Sequence, residues 1–319
     1  MNARTSSRIV ALGASALLLV AACGGQTESS GGGGGGSDIS GEVVVDGSST
    51  VGPLTSAAGE LFSEEQSGVK VSVATSGTGG GFEKFCVGDT DISDASRPIE
   101  DDESAICKKN GVEYIELRVA TDALTVVVST DNDFVDCLTL DELNTMWAPE
   151  AEDKVTTWSQ VNPSFPDEPL ELYGAGTDSG TFDYFTDAVN GEEGASRSDY
   201  NATEDDNVTV QGVAGSPNAL GYFGYTYFEE NADKLKAVAI DSGDGCVEPS
   251  AETSADGTYT PLSRPLFVYV STKAYTDKAQ VSAFVDYYVA NDDKIAEVAK
   301  FIALNDDQRS ELEDTAAKL

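Results

Sequence analysis

Along this chain the apolar positions switch repeatedly between a period of two and a period near 3.6, so strands and helices alternate. Val43-Val44-Val45 is a β-branched run ending at Asp46-Gly47, a strand with its stop signal. A helix is predicted from Pro53, with Leu54, Ala57, Ala58, Leu61 and Phe62 on its inner face. Val69, Val71 and Val73 alternate as a strand that enters a glycine turn at 77–81, and 82–87 reads as the next helix. Asp91-Ile92-Ser93 is a short strand leading into Ala95-Ser96-Arg97-Pro98, and a helix over 103–109 stops at Asn110-Gly111. Two extended runs follow, 114–119 and 123–129. Strands alternating with helices predict an α/β fold with mainly parallel pairing.

A second unit is expected to begin near Thr121. It opens with a helix over 138–147, with Thr139 as N-cap and Glu142 closing a capping box. A Pro-rich loop spans 162–169, and Leu170 to Tyr173 is a strand running into a third glycine-containing turn. A helix over 181–189, a polar surface loop over 191–206 and an aromatic, amphipathic stretch over 220–230 come next. Residues 241–260 read as loop, Leu266 to Val270 as a buried strand, and 278–319 as helices with Val281, Phe284, Val285 and Tyr288 at helical spacing.

Three of the strand-to-helix turns share a composition: Gly47-Ser48-Ser49-Thr50-Val51, Ser76-Gly77-Thr78-Gly79-Gly80-Gly81-Phe82 and Gly176-Thr177-Asp178-Ser179-Gly180-Thr181-Phe182. Such turns aim backbone N–H groups and short O–H donors at one point, which suits an oxyanion. The ordinary alternative for each hydroxyl is helix N-capping. Ligands of open α/β sheets bind outside the carboxyl ends of strands, where all three turns fall, so the turns are placed to converge.

Charge sharpens this reading. Lys+Arg total 19 against 56 Asp+Glu, a formal net charge of -37, so no general positive field draws an anion in. The same balance excludes nucleic acid as a partner. Runs such as Glu100-Asp101-Asp102-Glu103 read as solvated helix starts. With His 0, a Ser-His-Asp or Cys-His nucleophile system, a His general base and a His-ligated metal are all excluded, and no metal or cofactor is expected.

At the N-terminus, Arg4 and Arg8 precede an apolar run, 9–20, too brief to span a membrane comfortably. It ends in Val20-Ala21-Ala22-Cys23, an order that resembles the bacterial lipobox, whose cysteine is diacylated and becomes the mature N-terminus. Residues 1–22 are therefore expected to be a signal segment, and 23–39 a lipidated cysteine with a Gly/Ser-rich tether spanning on the order of 20 Å. Acylation at Cys23 would hold the protein outside the cell membrane. The remaining length, roughly 280 residues, suits two lobes. Cys86, Cys107, Cys137 and Cys246 in an oxidising compartment predict two disulfides. Of the three possible pairings, Cys86–Cys107 is the local choice and leaves Cys137–Cys246; the first would contribute roughly 3 kcal/mol.

The three turns, in this order and together with Asp91-Ile92-Ser93-Asp94-Ala95-Ser96-Arg97-Pro98, resemble the phosphate-binding lipoproteins (PstS type) of bacterial phosphate ABC transporters. The match runs from about residue 40 to the C-terminus. It implies a type II periplasmic-binding-protein fold, two α/β lobes joined by hinge strands with the ligand in the cleft. It also implies that C-terminal elements complete the first lobe, giving 40–120 plus 265–319 as lobe 1 and 121–264 as lobe 2. By position, Ser49 and Thr50 would donate from the first turn, Ser76 and Thr78 from the second, and Ser179, Gly180 and Thr181 from the third, with Ser96 beside them. Arg97 would supply the one full positive charge, and its loss would weaken binding by roughly 2–4 kcal/mol. The better-known variant of the family differs in carrying an acidic residue where Arg97 stands and an arginine where Ala175 stands.

Near neutral pH phosphate carries at least one proton and sulfate none, so a phosphate site needs a buried acceptor that also repels sulfate. Asp94 and Asp178 are the candidates, each inside a ligand turn, with Asp122 and Asp91 behind them. The expected activity is high-affinity phosphate binding, without catalysis, by a monomer that delivers the ion to ABC permease subunits. The alternatives are a receptor for sulfate, molybdate or arsenate, an extracytoplasmic phosphatase, or a ligand-free surface scaffold.

Overall fold

The computed structural model describes residues 39–177 and 179–319; the expected signal segment, Cys23, the expected tether up to residue 38 and Asp178 lie outside the described residues. The first part of the chain runs β1 (Gly41–Gly47), α1 (Gly52–Glu65), β2 (Val69–Ala74), α2 (Thr78–Phe85), β3 (Ile92–Ala95), α3 (Asp101–Asn110) and β4 (Tyr114–Ser129). The middle holds β5 (Cys137–Thr139), α4 (Leu140–Trp147), α5 (Trp158–Val161), β6 (Glu171–Ala175), α6 (Gly180–Asn190), β7 (Asn201–Thr203), α7 (Asp206–Ala214), β8 (Ala219–Gly224), α8 (Tyr225–Glu230), β9 (Leu235–Ala237), β10 (Ala239–Asp241), β11 (Cys246–Val247) and α9 (Ala251–Ala255). The chain closes with β12 (Ser263–Ser271), α10 (Thr272–Asp277), α11 (Ala279–Ala290), α12 (Asp292–Ala299) and α13 (Asp306–Ala316).

The main sheet has the order β2-β1-β3-β12-β4-β8-β6-β7, with β9 also paired to β4, and β11-β10-β5 form a smaller sheet. Pairing is parallel among β2, β1 and β3 and among β8, β6 and β7, but β12 and β4 run antiparallel to their neighbours. The two extended runs over 114–119 and 123–129 are one strand, β4. Polar Thr121 and Asp122 interrupt the apolar pattern there but no glycine or proline does, and both are buried. Its first ten residues pair with β12 and the rest with β8 and β9.

The fold is two-lobed, with a separate core in each lobe. One core joins Val43, Val45, Leu54 and Phe62 to Leu266, Val270, Phe284 and Tyr288. The other joins Leu124, Val126 and Val128 to Trp147, Phe185, Leu220 and Tyr222. C-terminal residues share the first of these cores: Phe284 of α11 is fully buried, edge-on to Phe62 at 5.5 Å between ring centroids. Truncating such a side chain to alanine costs about 3–5 kcal/mol. β4 and β12 are the paired strands that pass between lobes.

Smaller differences have local causes. The helix expected at 82–87 begins at Thr78, because Gly77 takes φ 82 and turns the chain into the helix before the glycines end. The polar loop over 191–206 contains β7, and the stretch over 220–230 divides into β8 and α8. Thr139 caps α4 as expected: its Oγ1 accepts Glu142 N–H at 3.1 Å, and the Glu142 carboxylate accepts Thr139 N–H at 2.8 Å. Both disulfides form, Cys86–Cys107 tying α2 to α3 and Cys137–Cys246 tying β5 to β11. Among the described residues no helix is long and apolar enough to cross a membrane.

Candidate functional site

The first turn is set by its glycine. A Cβ on Gly47 would lie 2.0 Å from the Asp94 carbonyl oxygen, so only glycine lets β1 and β3 meet there. Ser48 N–H donates to that same oxygen at 2.9 Å. Ser48, not Ser49 or Thr50, supplies the cap-like contacts, its Oγ accepting Thr50 N–H at 3.2 Å and Val51 N–H at 3.4 Å. Ser49 and Thr50 are left to line the cleft.

The second turn docks on the first, with Gly77 N–H donating to the Gly47 carbonyl at 2.9 Å. Gly77 and Thr78 line the cleft, and Ser96 joins them: Ser96 N–H donates to Thr78 Oγ1 at 3.3 Å, and the two hydroxyls are 3.2 Å apart. Ser76 is turned away. Its N–H and hydroxyl donate to Asp46 Oδ1 at 3.0 and 2.8 Å, while Lys84 pairs with Oδ2.

The third turn opens α6. Ser179 is its N-cap, accepting Thr181 N–H at 3.1 Å. A Cβ on Gly180 would lie 3.2 Å from Thr50 Oγ1 and 3.3 Å from Ser49 Oγ and Thr50 N. Lobe 2 therefore touches lobe 1 at the N-termini of two helices, and α2 begins beside them. The N-termini of α1 and α2 line one small cavity of about 60 Å³, which α6 borders through Asp183, Tyr184 and Asp187, while Ser179, Gly180 and Thr181 are not among its lining residues.

The cation in that cavity is Arg264, on β12. Its Nη2 donates to Thr50 Oγ1 at 2.7 Å, and its Nε donates to Asp122 Oδ2 at 3.3 Å. The guanidinium carbon lies 3.5 Å from the Tyr184 ring centroid, and Tyr184 is fixed by its hydroxyl donating to the Pro261 carbonyl at 2.7 Å. Asp122 and Arg264 are direct cross-strand partners on the hinge strands. Burial pushes the Asp122 carboxyl up, against the pull of Arg264. Lobe 2 adds Asp183, Asp187 and Glu193 to the lining. Asp183 is half-buried; burial raises its pKa, Glu193 adds to the rise, and Arg264 opposes it.

Arg97 does not line the cleft. Its Nη1 and Nη2 donate to the two Glu103 oxygens at 2.8 Å each, and its Nε pairs with Glu100 at 3.3 Å. The acidic run expected to be a solvated helix start is what captures it. Asp94 is equally displaced: alternation along β3 turns its side chain toward α1, where Oδ1 accepts the Thr55 hydroxyl at 2.9 Å. Asp91 is occupied by Lys278 Nζ at 2.6 Å and Val44 N–H at 3.1 Å. Asp178 lies outside the described residues.

Ser48, Asp183, Tyr184, Asp187, Glu193 and Arg264 line the cavity without having been expected there from the sequence. One signal pointed to the last: Ser96-Arg97-Pro98-Ile99 and Ser263-Arg264-Pro265-Leu266 are the same tetrapeptide pattern occurring twice.

Comparison with known proteins agrees with this architecture. The family model described as a PBP superfamily domain matches residues 32–292. Protein SphX of Synechocystis sp. is 48% identical over 268 residues, 84% of this chain and 80% of that one. The phosphate-binding protein PstS of Staphylococcus saprophyticus is 41% identical over 283 residues, 87% of this chain and 86% of its own. The crystal structure of a possible phosphate binding protein from Planctomyces limnophilus superposes with a TM-score of 0.83 at 48% identity, covering 88% of this chain and 99% of the other. An ABC-type phosphate transport receptor from Vibrio cholerae shares the fold at a TM-score of 0.62 and 19% identity, over 82% of this chain and 99% of that one. The chain belongs to the PBP superfamily, among the PstS-type phosphate-binding proteins.

Proposed function

We propose that this protein binds inorganic phosphate in the interlobe cleft and passes it to the permease of an ABC transporter. The observation that carries this reading is the convergence of two hydroxyl-bearing helix N-termini, those of α1 and α2, with Arg264 on one small cavity, with the start of α6 packed against the first of them. Ser49, Thr50, Thr78 and Ser96 donate from lobe 1, and Ser179, Gly180 and Thr181 close over the ion from lobe 2. Ser76 acts behind them through Asp46. Micromolar affinity corresponds to about -8 kcal/mol, and charge-assisted hydrogen bonds contribute roughly 1.5–3 kcal/mol each. A handful of these donors therefore suffices after desolvation and lobe closure are subtracted.

Phosphate is favoured over sulfate because the cleft holds a carboxylate acceptor. Asp183, half-buried on the cleft wall, accepts a hydrogen bond from the O–H that phosphate carries and repels an anion that has none. The family is one of substrate-binding proteins, and with no histidine in the chain the bound ion is carried rather than turned over. The protein works outside the cytoplasmic membrane as a monomer, anchored by acylation of Cys23; the small residues before that cysteine and the two disulfides support this placement.

Calorimetric titration of the protein with phosphate, arsenate and sulfate across pH 6 to 8 tests the reading. Phosphate should bind at micromolar concentration or tighter, and sulfate should not compete. Sulfate binding as tightly as phosphate, or no heat with any oxyanion, would overturn it.

A further inference from the structure

Asp94 was expected to face the ligand and instead lies behind it. It is fully buried on β3, with one oxygen accepting the Thr55 hydroxyl and the other, Oδ2, without a hydrogen-bond partner among the described residues. From α1 it faces Thr55, and from α11 the Tyr288 hydroxyl, 3.5 Å from Thr55 Oγ1. From β1 it feels Asp46, whose own charge is matched by Lys84, and its β12 partner is apolar Val268. None of these neighbours offers a cation to Asp94. A carboxylate there would be an uncompensated buried charge with an orphaned oxygen, an arrangement costing several kcal/mol. The geometry therefore selects the neutral acid.

The same residue is joined to the first anion turn by its backbone. Its carbonyl accepts Ser48 N–H at 2.9 Å, and Gly47 lies against it. Its side chain grips Thr55 at the start of α1, the helix whose N-terminus carries Ser49 and Thr50. Asp94 thus holds both ends of the turn-to-helix segment that meets the ligand, and a negative charge placed there would also oppose an anion on the other side of that segment.

We propose that Asp94 is a positioning residue for the first anion-binding turn, acting as a neutral carboxyl from the far side of the strand, and that its loss of a proton weakens phosphate binding. This rests on the phosphate reading above. Burial, with Asp46 adding to it, raises the Asp94 pKa to about 8 despite the Thr55 hydrogen bond. The sign follows. A bound anion favours the protonated carboxyl further, so Asp94 leaves affinity intact below about 8 and lowers it as the pH rises through and beyond that value.

The test is phosphate affinity by calorimetry from about pH 6.5 to about pH 9.5 for the wild type, Asp94→Asn and Thr55→Val. Asn is a neutral isostere, so wild type and Asp94→Asn should bind alike at the lower end. By the upper end the wild type should be weaker than Asp94→Asn by about tenfold. Thr55→Val removes the hydrogen bond that stabilises the ionised form and should move the break in the profile to higher pH. This second variant keeps the test open if Asp94→Asn fails to fold. A wild-type to Asp94→Asn ratio independent of pH would overturn the inference while leaving the phosphate reading intact. So would a Thr55→Val profile with its break unmoved. A wild type that does not bind phosphate at neutral pH would remove both.

Discussion

Arg97 and Arg264 sit in the same local context, Ser-Arg-Pro followed by an aliphatic residue, and end in different company. Arg97, 37% exposed, is held in a bidentate pair by Glu103, with Glu100 alongside, at the start of α3. Arg264, 19% exposed, has one carboxylate partner at 3.3 Å, an aromatic ring beneath it and a hydroxyl of the opposite lobe as acceptor. The first is neutralised within its own loop. The second carries its charge on the paired strands between the lobes, lining the cavity. What surrounds a guanidinium decides whether it is free for a ligand, and carboxylates six or fewer residues away already satisfy Arg97.

Substitutions that separate the two arginines should sharpen this contrast. Arg264→Ala is expected to have the largest effect, weakening phosphate binding by roughly 2–4 kcal/mol in calorimetry as a desolvated charged partner is lost. Gly180→Val tests whether the lobes must touch. Its side chain would meet Ser49 and Thr50 where a Cβ already lies at 3.2–3.3 Å, and affinity should fall by about 1–3 kcal/mol. Asp183→Asn removes the proton acceptor, and the phosphate-to-sulfate affinity ratio should drop by about tenfold or more in a competition titration. Arg97→Ala is expected to be the mildest, changing phosphate affinity by less than about 1 kcal/mol, as for a partly exposed ion pair. Should Arg97→Ala abolish binding while Arg264→Ala leaves it intact, the assignment of the two arginines would be reversed.

Much of lobe 1 is legible in the chain because its signals are local. The β-branched run at Val43–Val45, the proline opening α1 and the alternation of Val69, Val71 and Val73 each report a period or a turn within a few residues. The three anion turns are legible for the same reason. β4 is not: Thr121 and Asp122 look like a break because they are polar, yet both are buried and partnered, Thr121 accepting from Arg118 and Asp122 from Arg264. Asp94 is misleading in a related way. It lies on β3, where its carbonyl meets the first turn through Ser48 N–H, but a strand sends alternate side chains to opposite faces, and its own points to the helix side.

The sequence by itself determined the α/β alternation, the turns that present N–H and O–H groups, and the need for directed donors in a chain of net charge -37. Helix caps, glycine turns and hydrophobic periods depend on neighbours a few residues away, so they are written in the order of residues. Only the tertiary structure decided which cation and which carboxylates line the cavity. Arg264 meets Asp122 across 142 residues of chain and Thr50 across 214, and no local preference encodes such a meeting. Burial of two separate cores around a shared pair of strands brings those groups together, and the cleft is what remains between them.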